Sequence, residues 1–270
     1  MFDKIARNNN IFLSDLFLKD AMAFCVIDSI RNDAERYPTP KVFSDKKDCI
    51  MINSDPNHSV ITWTSDNFKA YGQLYDFIKQ EFGVNAPLKI MAKKCFYDDL
   101  VKNRKMPALN VQTLGVYSCL KLNDVAYIGR PDQAKTDEIL QVAQMLVNFD
   151  KETKENPDAQ VAEYMDLASE FVSAPTHCVW RDRNDKLVAL ATLRINERYP
   201  RIGRVYTLVD ERGKSYAKML VHYLTTQILK AGKKAMLFTD FDYAPSNRCY
   251  QAIGYKLNDT IVNFIPPIEE

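Results

Sequence analysis

Apolar and polar residues alternate along this chain with two different periods, which predict a mixture of strands and helices. Runs rich in β-branched and aromatic residues predict strands at residues 49–53, 60–64, 88–92, 111–121, 178–181, 187–195, 204–209 and 234–240. Apolar stripes with a spacing of three or four residues predict helices at residues 68–82, 140–147, 161–171 and 217–230, and shorter helices in 1–30, 96–101 and 244–253. The pattern is that of an α/β protein with a mixed α+β sheet.

Polar stretches divide these elements. Residues 31–48, which contain Pro38 and Pro40, are predicted to be a loop, residues 54–57 a turn, and residues 151–157 a charged linker. A strand at 125–128 is expected to open a second series of elements, which ends in two short strands at 255–257 and 260–265. The sequence therefore predicts an N-terminal α/β domain at residues 1–122 and a second domain at residues 123–270. A degenerate copy of the second domain is one interpretation of the first, although no internal repeat supports it.

The most informative stretch is a strand, a tight turn and an amphipathic helix between Gly203 and Gly232. The first amides of a helix have no partner within the helix and lie at the positive end of its dipole, so the turn predicts an anion site. A P-loop is excluded, because Leu208 stands where that motif needs its first glycine. A dinucleotide fingerprint is excluded as well, because it needs three glycines and this turn has one.

Two motifs in this region resemble those of the GNAT acyltransferase superfamily. Residues 212–217, Arg-Gly-Lys-Ser-Tyr-Ala, resemble its coenzyme A loop, with Ser215 in place of the middle glycine. Residues 244–255 carry Asn247 and Tyr250 and close on Ile-Gly-Tyr, which resembles the ending of the same fold. The combined pattern is most similar to the branch that contains the C-terminal domains of glycine N-acyltransferases.

The resemblance implies an N-acyltransferase that moves an acetyl or other acyl group from acetyl-CoA to a primary amine on a small molecule or a peptide. Tyr250 matches the general acid that protonates the leaving thiolate. The residues that would hold the cofactor lie in the strand, the turn and the last helix: Val205, Tyr206, Thr207, Arg212, Gly213, Lys214, Ser215, Tyr216, Ala217, Lys218 and Asn247. The acceptor, the length of the acyl chain and the role of residues 1–122 stay open.

The general base is not assigned by the sequence. Glu197, Asp240 and Asp242 lie near the ends of predicted strands, and a chain of water molecules often serves in the superfamily. A second function is therefore kept as an alternative: a coenzyme A-binding or sensing module without turnover. Tyr250 as a packing residue and Asn247 as a turn residue are the corresponding structural interpretations.

The basic side chains of the turn also have structural interpretations. Arg212 could form a surface ion pair with Glu211 or Asp210, and Lys214 and Lys218 could be a solvated helix face. In that case only the backbone amides of the turn would contact the cofactor.

Composition narrows the class of protein further. The 36 basic and 35 acidic residues nearly cancel, so bulk charge indicates neither a nucleic-acid nor a membrane partner. The 6 cysteines and 3 histidines are scattered without metal-ligand spacing, which predicts reduced thiols and no metal site. No apolar run has the length of a membrane span and no signal-peptide core is present, so a cytoplasmic protein is expected. The oligomeric state, a homodimer included, stays open.

Overall fold

The computed structural model describes residues 1–55, 59–83, 88–106 and 111–267, so the turn expected at 54–57 lies partly outside the described residues. The chain forms two compact units. The first comprises Met1–Val116, Thr239–Tyr243 and Asn258–Glu270, and the second comprises Tyr117–Phe238 and Ala244–Leu257. The first unit is therefore assembled from three stretches of chain. The domain limit expected between residues 122 and 123 stays a prediction.

The elements follow one another in a regular order. The first part of the chain forms β1 (Asp3–Lys4), α1 (Asp15–Asp20), α2 (Cys25–Asn32), β2 (Lys41–Ser44), β3 (Cys49–Asn53), β4 (Val60–Thr64), α3 (Tyr71–Phe82), β5 (Ile90–Lys93), α4 (Lys94–Arg104) and β6 (Gln112–Cys119). The later part forms β7 (Arg130–Asp132), α5 (Ile139–Glu152), α6 (Met165–Ser173), β8 (His177–Arg181), β9 (Leu187–Arg194), β10 (Arg201–Thr207), α7 (Tyr216–Lys230), β11 (Ala235–Asp240), α8 (Ala244–Ile253) and β12 (Lys256–Phe264).

The first unit contains an antiparallel series, β1 to β4, followed by one parallel pair. β4 runs parallel to β5 with Val60, Ile61 and Thr62 opposite Ile90, Met91 and Ala92, and β12 pairs antiparallel with the other edge of β5. Helix α3 packs through a buried stripe, because its apolar residues recur every three or four positions: Tyr71, Leu74, Tyr75 and Ile78. The final strand of the chain thus completes the sheet of the first unit.

The second unit has the same alternation of an antiparallel series and a parallel pair. β7, β8, β9 and β10 are antiparallel neighbours, and β10 is parallel to β11. Trp180 belongs to an apolar cluster with α7 and α8, and its neighbour Val179 belongs to a cluster with α5 and α6. Since successive side chains of a strand point to opposite faces, the helices cover both faces of this sheet. No helix in the described ranges is both long and apolar enough to cross a membrane.

Several sequence-based predictions of elements are wrong in detail. β2 lies within the predicted loop 31–48, because Val42 is buried and pairs with Ile52. The strand expected at 125–128 is instead β7, which pairs with β8 at Arg130↔Arg181. The predicted linker 151–157 begins inside α5, and the two predicted final strands are the single strand β12.

The strand that leads into the predicted anion site is also shifted from its predicted position. β10 begins at Arg201, directly opposite Arg194 of β9, and it ends at Thr207 instead of Val209. Leu208 still donates its N–H to Val188 O at 3.0 Å, whereas Val209 turns away and is 60% exposed. The run of apolar residues therefore predicted that a strand is present but did not predict where it ends.

Candidate active site

A bulge interrupts β10 in the middle of its antiparallel pairing with β9. The register shifts between Gly203, opposite Thr192, and Tyr206, opposite Leu190. Arg204 lies inside this bulge with a φ of 48°, in the left-handed region that non-glycine residues rarely occupy. Because of the extra residue, Ile202 and Val205 lie on the same face of the sheet although they are an odd number of positions apart in the strand. Both pack against the cluster of α7 and α8.

β10 and β11 separate where the bulge begins. Their parallel ladder consists of Arg201↔Met236 and Ile202↔Leu237, and no further pair joins them within the described residues. Leu208 directs its N–H towards β9, so by strand alternation the amides of Val205 and Thr207 face the side that β11 leaves open. The Thr207 hydroxyl is buried, and Oγ1 makes no hydrogen bond to any described residue. Val205 and Thr207 therefore have no partner from β11 in the ladder, and Thr207 also carries a buried hydroxyl without a protein partner among the described residues.

The turn after β10 presents a row of free amides at the beginning of α7. A short 3-10 turn at Val209–Glu211 ends at Arg212, and the first helical bond beyond it runs from Met219 N to Ser215 O at 3.1 Å. The backbone amides of residues 213–218 donate no hydrogen bond within the described part of the chain. Such a row of N–H groups at a helix N-terminus favours a bound anion.

Two left-handed residues give this turn its shape. Gly213 has a φ of 79°, and Ser215, the residue that caps α7, has a φ of 66°. A Cβ added at Gly213 would meet no atom within 4 Å, so the space beside this residue of the turn is open. Ser215 occupies a conformation that glycine adopts more easily, which explains why glycine is the usual residue in the resembling motif.

The charged side chains around the turn are held by other residues. The Arg212 guanidinium contacts both oxygens of Glu152 at 2.8 Å and donates to Thr207 O at 3.2 Å. Arg212 thus forms an ion pair with Glu152 of α5, a residue far from it in the sequence. Its guanidinium also lies 5.4 Å from the ring centroid of Tyr206, whose backbone faces Leu190 in β9.

Glu211 bridges two lysines next to the turn. Its carboxylate accepts from Lys186 at 2.6 Å and from Lys214 at 2.7 Å, and these two ammonium groups lower the pKa of Glu211. Lys214 is thus an ion-paired side chain rather than a purely solvated one.

Lys218 lies near the thiol of Cys249. Burial raises the pKa of Cys249 to about 11, and the ammonium group of Lys218 lowers this pKa in part.

Helix α8 contributes the predicted proton donor. Tyr250 is buried at 7% exposure in the same cluster as Tyr216 and Val205, so these side chains come together on one face of the sheet. Burial is the main cause that raises the pKa of Tyr250, the negative charge of Cys249 adds to it, and an interaction with Ser246 opposes it. The phenol is therefore protonated at neutral pH. Asn247 lies one helical turn earlier and is half-buried.

The three acidic residues that the sequence left as candidates for the base, Glu197, Asp240 and Asp242, do not all belong to one unit. Glu197 is exposed in the turn between β9 and β10 of the second unit. Asp240 and Asp242 belong to the first unit, where Asp240 accepts from Gln112 and from the amide of Asp242. Within the described ranges no group of His, Cys, Asp and Glu is arranged to hold a metal ion.

A buried polar cluster beside the bulge was not predicted from the sequence. Asp150 of α5 accepts a hydrogen bond from the Tyr164 hydroxyl, and its other oxygen lies 3.8 Å from Arg204 Nε. A signal for it exists in the sequence, because Asp150 continues the apolar stripe of Val142 and Leu146 by one turn. A carboxylate on a buried stripe needs a partner, which marks the position as unusual.

Comparisons with known proteins agree with this architecture. A family model described as FR47-like protein matches residues 182–263, which extend from the β8–β9 turn almost to the end of β12. No curated protein matches the chain.

Three solved structures illustrate the similarity. A GNAT-family acetyltransferase from Colwellia psychrerythraea is 15% identical, with a TM-score of 0.58 over 99% of this chain and 100% of its own. A GCN5-related N-acetyltransferase from Sphaerobacter thermophilus is 11% identical, with a TM-score of 0.64 over 100% of this chain and 97% of its own. A tandem GNAT protein from the clavulanic acid biosynthesis pathway is 9% identical, with a TM-score of 0.58 over 100% and 99%. The chain thus has the fold of GNAT acetyltransferases, as predicted.

Proposed function

We propose that this chain is an N-acyltransferase that uses acyl-CoA, acetyl-CoA first among the donors, and acylates a primary amine. The single observation that carries the proposal is the row of free amides at residues 213–218, at the N-terminus of a 15-residue helix. A diphosphate is the anion that such a row suits, because several N–H groups can donate to it at once. The fold and the matched family model support the same conclusion.

The residues fit a pantetheine-bearing donor at this position. The separation of β10 from β11 leaves the amides of Val205 and Thr207 available, and the buried Thr207 Oγ1 has no protein partner in the described residues. An extended chain with amide groups would satisfy these groups. The open space over Gly213 would admit the diphosphate, and a larger side chain there would fill it.

Each residue has a defined task in this proposal. The bound thioester supplies an activated acyl carbon to a neutral amine nitrogen, the new C–N bond replaces the C–S bond, and the proton that the nitrogen loses passes to water. Amides of Gly213, Lys214, Ser215, Tyr216, Ala217 and Lys218 hold the diphosphate, and Asn247 bonds the donor from α8. The Val205 amide donates to the acyl oxygen as negative charge develops. Tyr250, protonated at neutral pH, donates its proton to the leaving sulfur.

The first unit is proposed to be a degenerate GNAT-like domain without a donor site. Its elements follow the same order as those of the second unit, from two helices through three antiparallel strands to a helix and a parallel strand. In the first unit the corresponding parallel strands, β4 and β5, remain paired, with Val60 to Thr62 opposite Ile90 to Ala92, whereas β10 and β11 of the second unit separate. We also propose that the chain is related to the glycine N-acyltransferase branch, so free glycine should be included among the primary amines that are tested as acceptors.

The test combines donor binding with turnover. Calorimetry with acetyl-CoA should show binding to one site per chain, and thiol release with a panel of primary amines should show transfer. Binding without thiol release for any amine would favour the alternative, a coenzyme A-sensing module. The absence of binding would end the proposal.

A matched pair of glycine variants locates the donor site. Gly213→Val should weaken acetyl-CoA binding at least about tenfold, because the side chain fills the space before the amides. Gly232→Val is the control, since Gly232 at the other end of α7 also has a positive φ, 70°, and open space around a Cβ. Equal affinities for the two variants would show that the diphosphate site has been misplaced.

A further inference from the structure

A buried pair of charged residues, Asp150 and Arg204, lies at the bulge of β10. Asp150 is 3% exposed on α5, and Tyr164 donates its hydroxyl hydrogen to Oδ2 of this carboxylate. The second oxygen, Oδ1, lies 3.8 Å from Nε of Arg204. Asp150 thus faces a tyrosine on one side and the bulge residue on the other.

The two facing atoms of this pair have no other use in the part of the chain that the structure describes. Asp150 Oδ1 and Arg204 Nε are both buried, and neither makes a hydrogen bond. Their distance is too long for a hydrogen bond, so charge attraction is what relates them. Buried ion pairs are weak sources of stability, because desolvation of the charges offsets their attraction. Stability alone therefore gives little reason for this arrangement.

The backbone of Arg204 gives a better reason. Its φ of 48° lies in the left-handed region, which an L-residue with a Cβ occupies only when its surroundings impose it. Arg204 and Val205 together oppose the single residue Ala191 in the bulge, and the bulge brings Val205 to the same face as Ile202. The side chain of Arg204 is only 26% exposed and faces α5, where Asp150 attracts it.

We propose that Asp150 is a positioning residue for acyl transfer: its charge holds Arg204 in the left-handed conformation and so keeps the bulge that orients Val205. The inference rests on the proposed function, because it gives the Val205 amide a role only if that amide faces an acyl donor. Tyr164 in turn orients Asp150. Burial, and then the hydrogen bond to Asp150, raise the pKa of Tyr164 to about 12, so the phenol stays a donor to this carboxylate at neutral pH.

Two variants at Arg204 separate the role of its conformation from the role of its charge. Arg204→Ala removes the guanidinium and keeps a Cβ that disfavours a positive φ, whereas Arg204→Gly removes both. If Arg204 matters through its conformation, kcat should fall at least about tenfold further in Arg204→Ala than in Arg204→Gly, with little change in KM for acetyl-CoA. Equal losses in the two variants would overturn the inference.

A variant of Asp150, alone and combined with Arg204→Gly, completes a double-mutant cycle. Asp150→Asn keeps an oxygen for the Tyr164 hydroxyl and removes the charge. Alone it should lower kcat about as much as Arg204→Ala, and in the Arg204→Gly background it should add less than about twofold, because glycine needs no support. A full additional loss in that background would contradict the proposal. So would a loss in Arg204→Gly that appears as a raised KM for the amine, since Arg204 would then bind the acceptor directly.

A readout without turnover distinguishes this inference from the proposed function. The amide proton and nitrogen shifts of Val205 in the free protein should move in Asp150→Asn, and should move much less when Asp150→Asn is added to the Arg204→Gly background. Unfolding temperatures of the same variants show whether each one is folded. If the wild-type chain binds no acetyl-CoA, the proposed function fails. If it binds acetyl-CoA and the Val205 shifts do not change in Asp150→Asn, only the positioning role fails.

Discussion

The backbone of Gly254 lies so close to the carbonyl of Lys121 that no side chain fits between them. A Cβ added at Gly254 would stand 2.4 Å from Lys121 O, and its φ is 118°, which side-chain-bearing residues rarely adopt. This glycine is the middle residue of the Ile-Gly-Tyr ending, and the Asn123 amide donates to Ile253 O at 2.9 Å beside it. The glycine of that motif is thus required by packing of the chain between β6 and β7 against the end of α8.

We expect Gly254→Ala to destabilise the protein by about 2–4 kcal/mol, because it adds backbone strain and a steric conflict with a carbonyl that cannot rotate away. Urea denaturation would measure the change in the free energy of unfolding. Gly232→Ala is the matched control, since its φ is 70° and its Cβ would meet nothing within 4 Å. The control should lose only about 1 kcal/mol, and equal losses at the two sites would contradict the steric argument.

Ser215→Gly should stabilise the protein, which is unusual for a substitution to glycine. Ser215 has a φ of 66° and makes no side-chain cap to α7, so glycine relieves strain and no cap is lost. The relief is about 1–2 kcal/mol, and the greater freedom of glycine in the unfolded chain offsets about 0.5–1 kcal/mol of it.

A rise of a few degrees in the melting temperature is the expected result for Ser215→Gly. Serine 169 offers a control, because Ser169 lies within helix α6 and Ser169→Gly should destabilise by about 0.5–1 kcal/mol. Acetyl-CoA affinity should be kept or increased in Ser215→Gly, since the motif normally carries glycine there. A lowered melting temperature would mean that the Ser215 hydroxyl has a structural role.

Tyr164 should give the protein a specific loss of stability at high pH. Its folded-state pKa is raised to about 12, first by burial and then by the hydrogen bond to Asp150. A raised pKa means that the folded state keeps its proton where the unfolded state has lost it. The contribution is therefore complete below the unfolded value of about 10 and is lost as the pH rises through the folded value, about 2–3 kcal/mol in total.

Denaturation of wild type and Tyr164→Phe between pH 8 and pH 12 tests this expectation. At pH 8 the variant should be less stable by about 1–3 kcal/mol, because Asp150 loses a hydrogen bond. The difference should shrink as the pH rises from 10 to 12, because the unfolded wild-type chain then loses the Tyr164 proton and is stabilised, whereas the variant has no proton to lose at this position. Parallel curves would show that Tyr164 does not titrate with a raised pKa.

The sequence predicted those parts of the site that local pattern determines. α7 follows from the apolar spacing of Leu220, Leu224 and Ile228, which are buried on one side of the helix as predicted. The glycine at 213 and the helix start after it follow from turn chemistry and from the resemblance. Local sequence contains the whole signal for such features.

The bulge and its support could not be predicted in this way. The conformation of Arg204 depends on how Gly203 and Tyr206 register with Thr192 and Leu190, and that register is set by strand pairing across the β9–β10 turn. The partner of Asp150 is likewise chosen by the packing of α5 on β10. Only the unusual carboxylate in an apolar stripe was visible in the sequence, without the residue that it faces.

The role of Tyr250 is tested best against a second buried tyrosine of the same cluster. The rings of Tyr250 and Tyr255 lie 6.2 Å apart, and burial raises the pKa of both phenols, so both are protonated at neutral pH. Tyr255 uses its hydroxyl in a 2.7 Å hydrogen bond with Thr225, whereas Tyr250 is the proposed donor to the thiolate.

Tyr250→Phe should lower kcat by about 10–10³-fold with little change in acetyl-CoA affinity. Tyr255→Phe should cost about 1 kcal/mol of stability and leave kcat within about threefold. If both variants keep full turnover, or if Tyr255→Phe alone loses it, Tyr250 is a packing residue and the proton must come from another group.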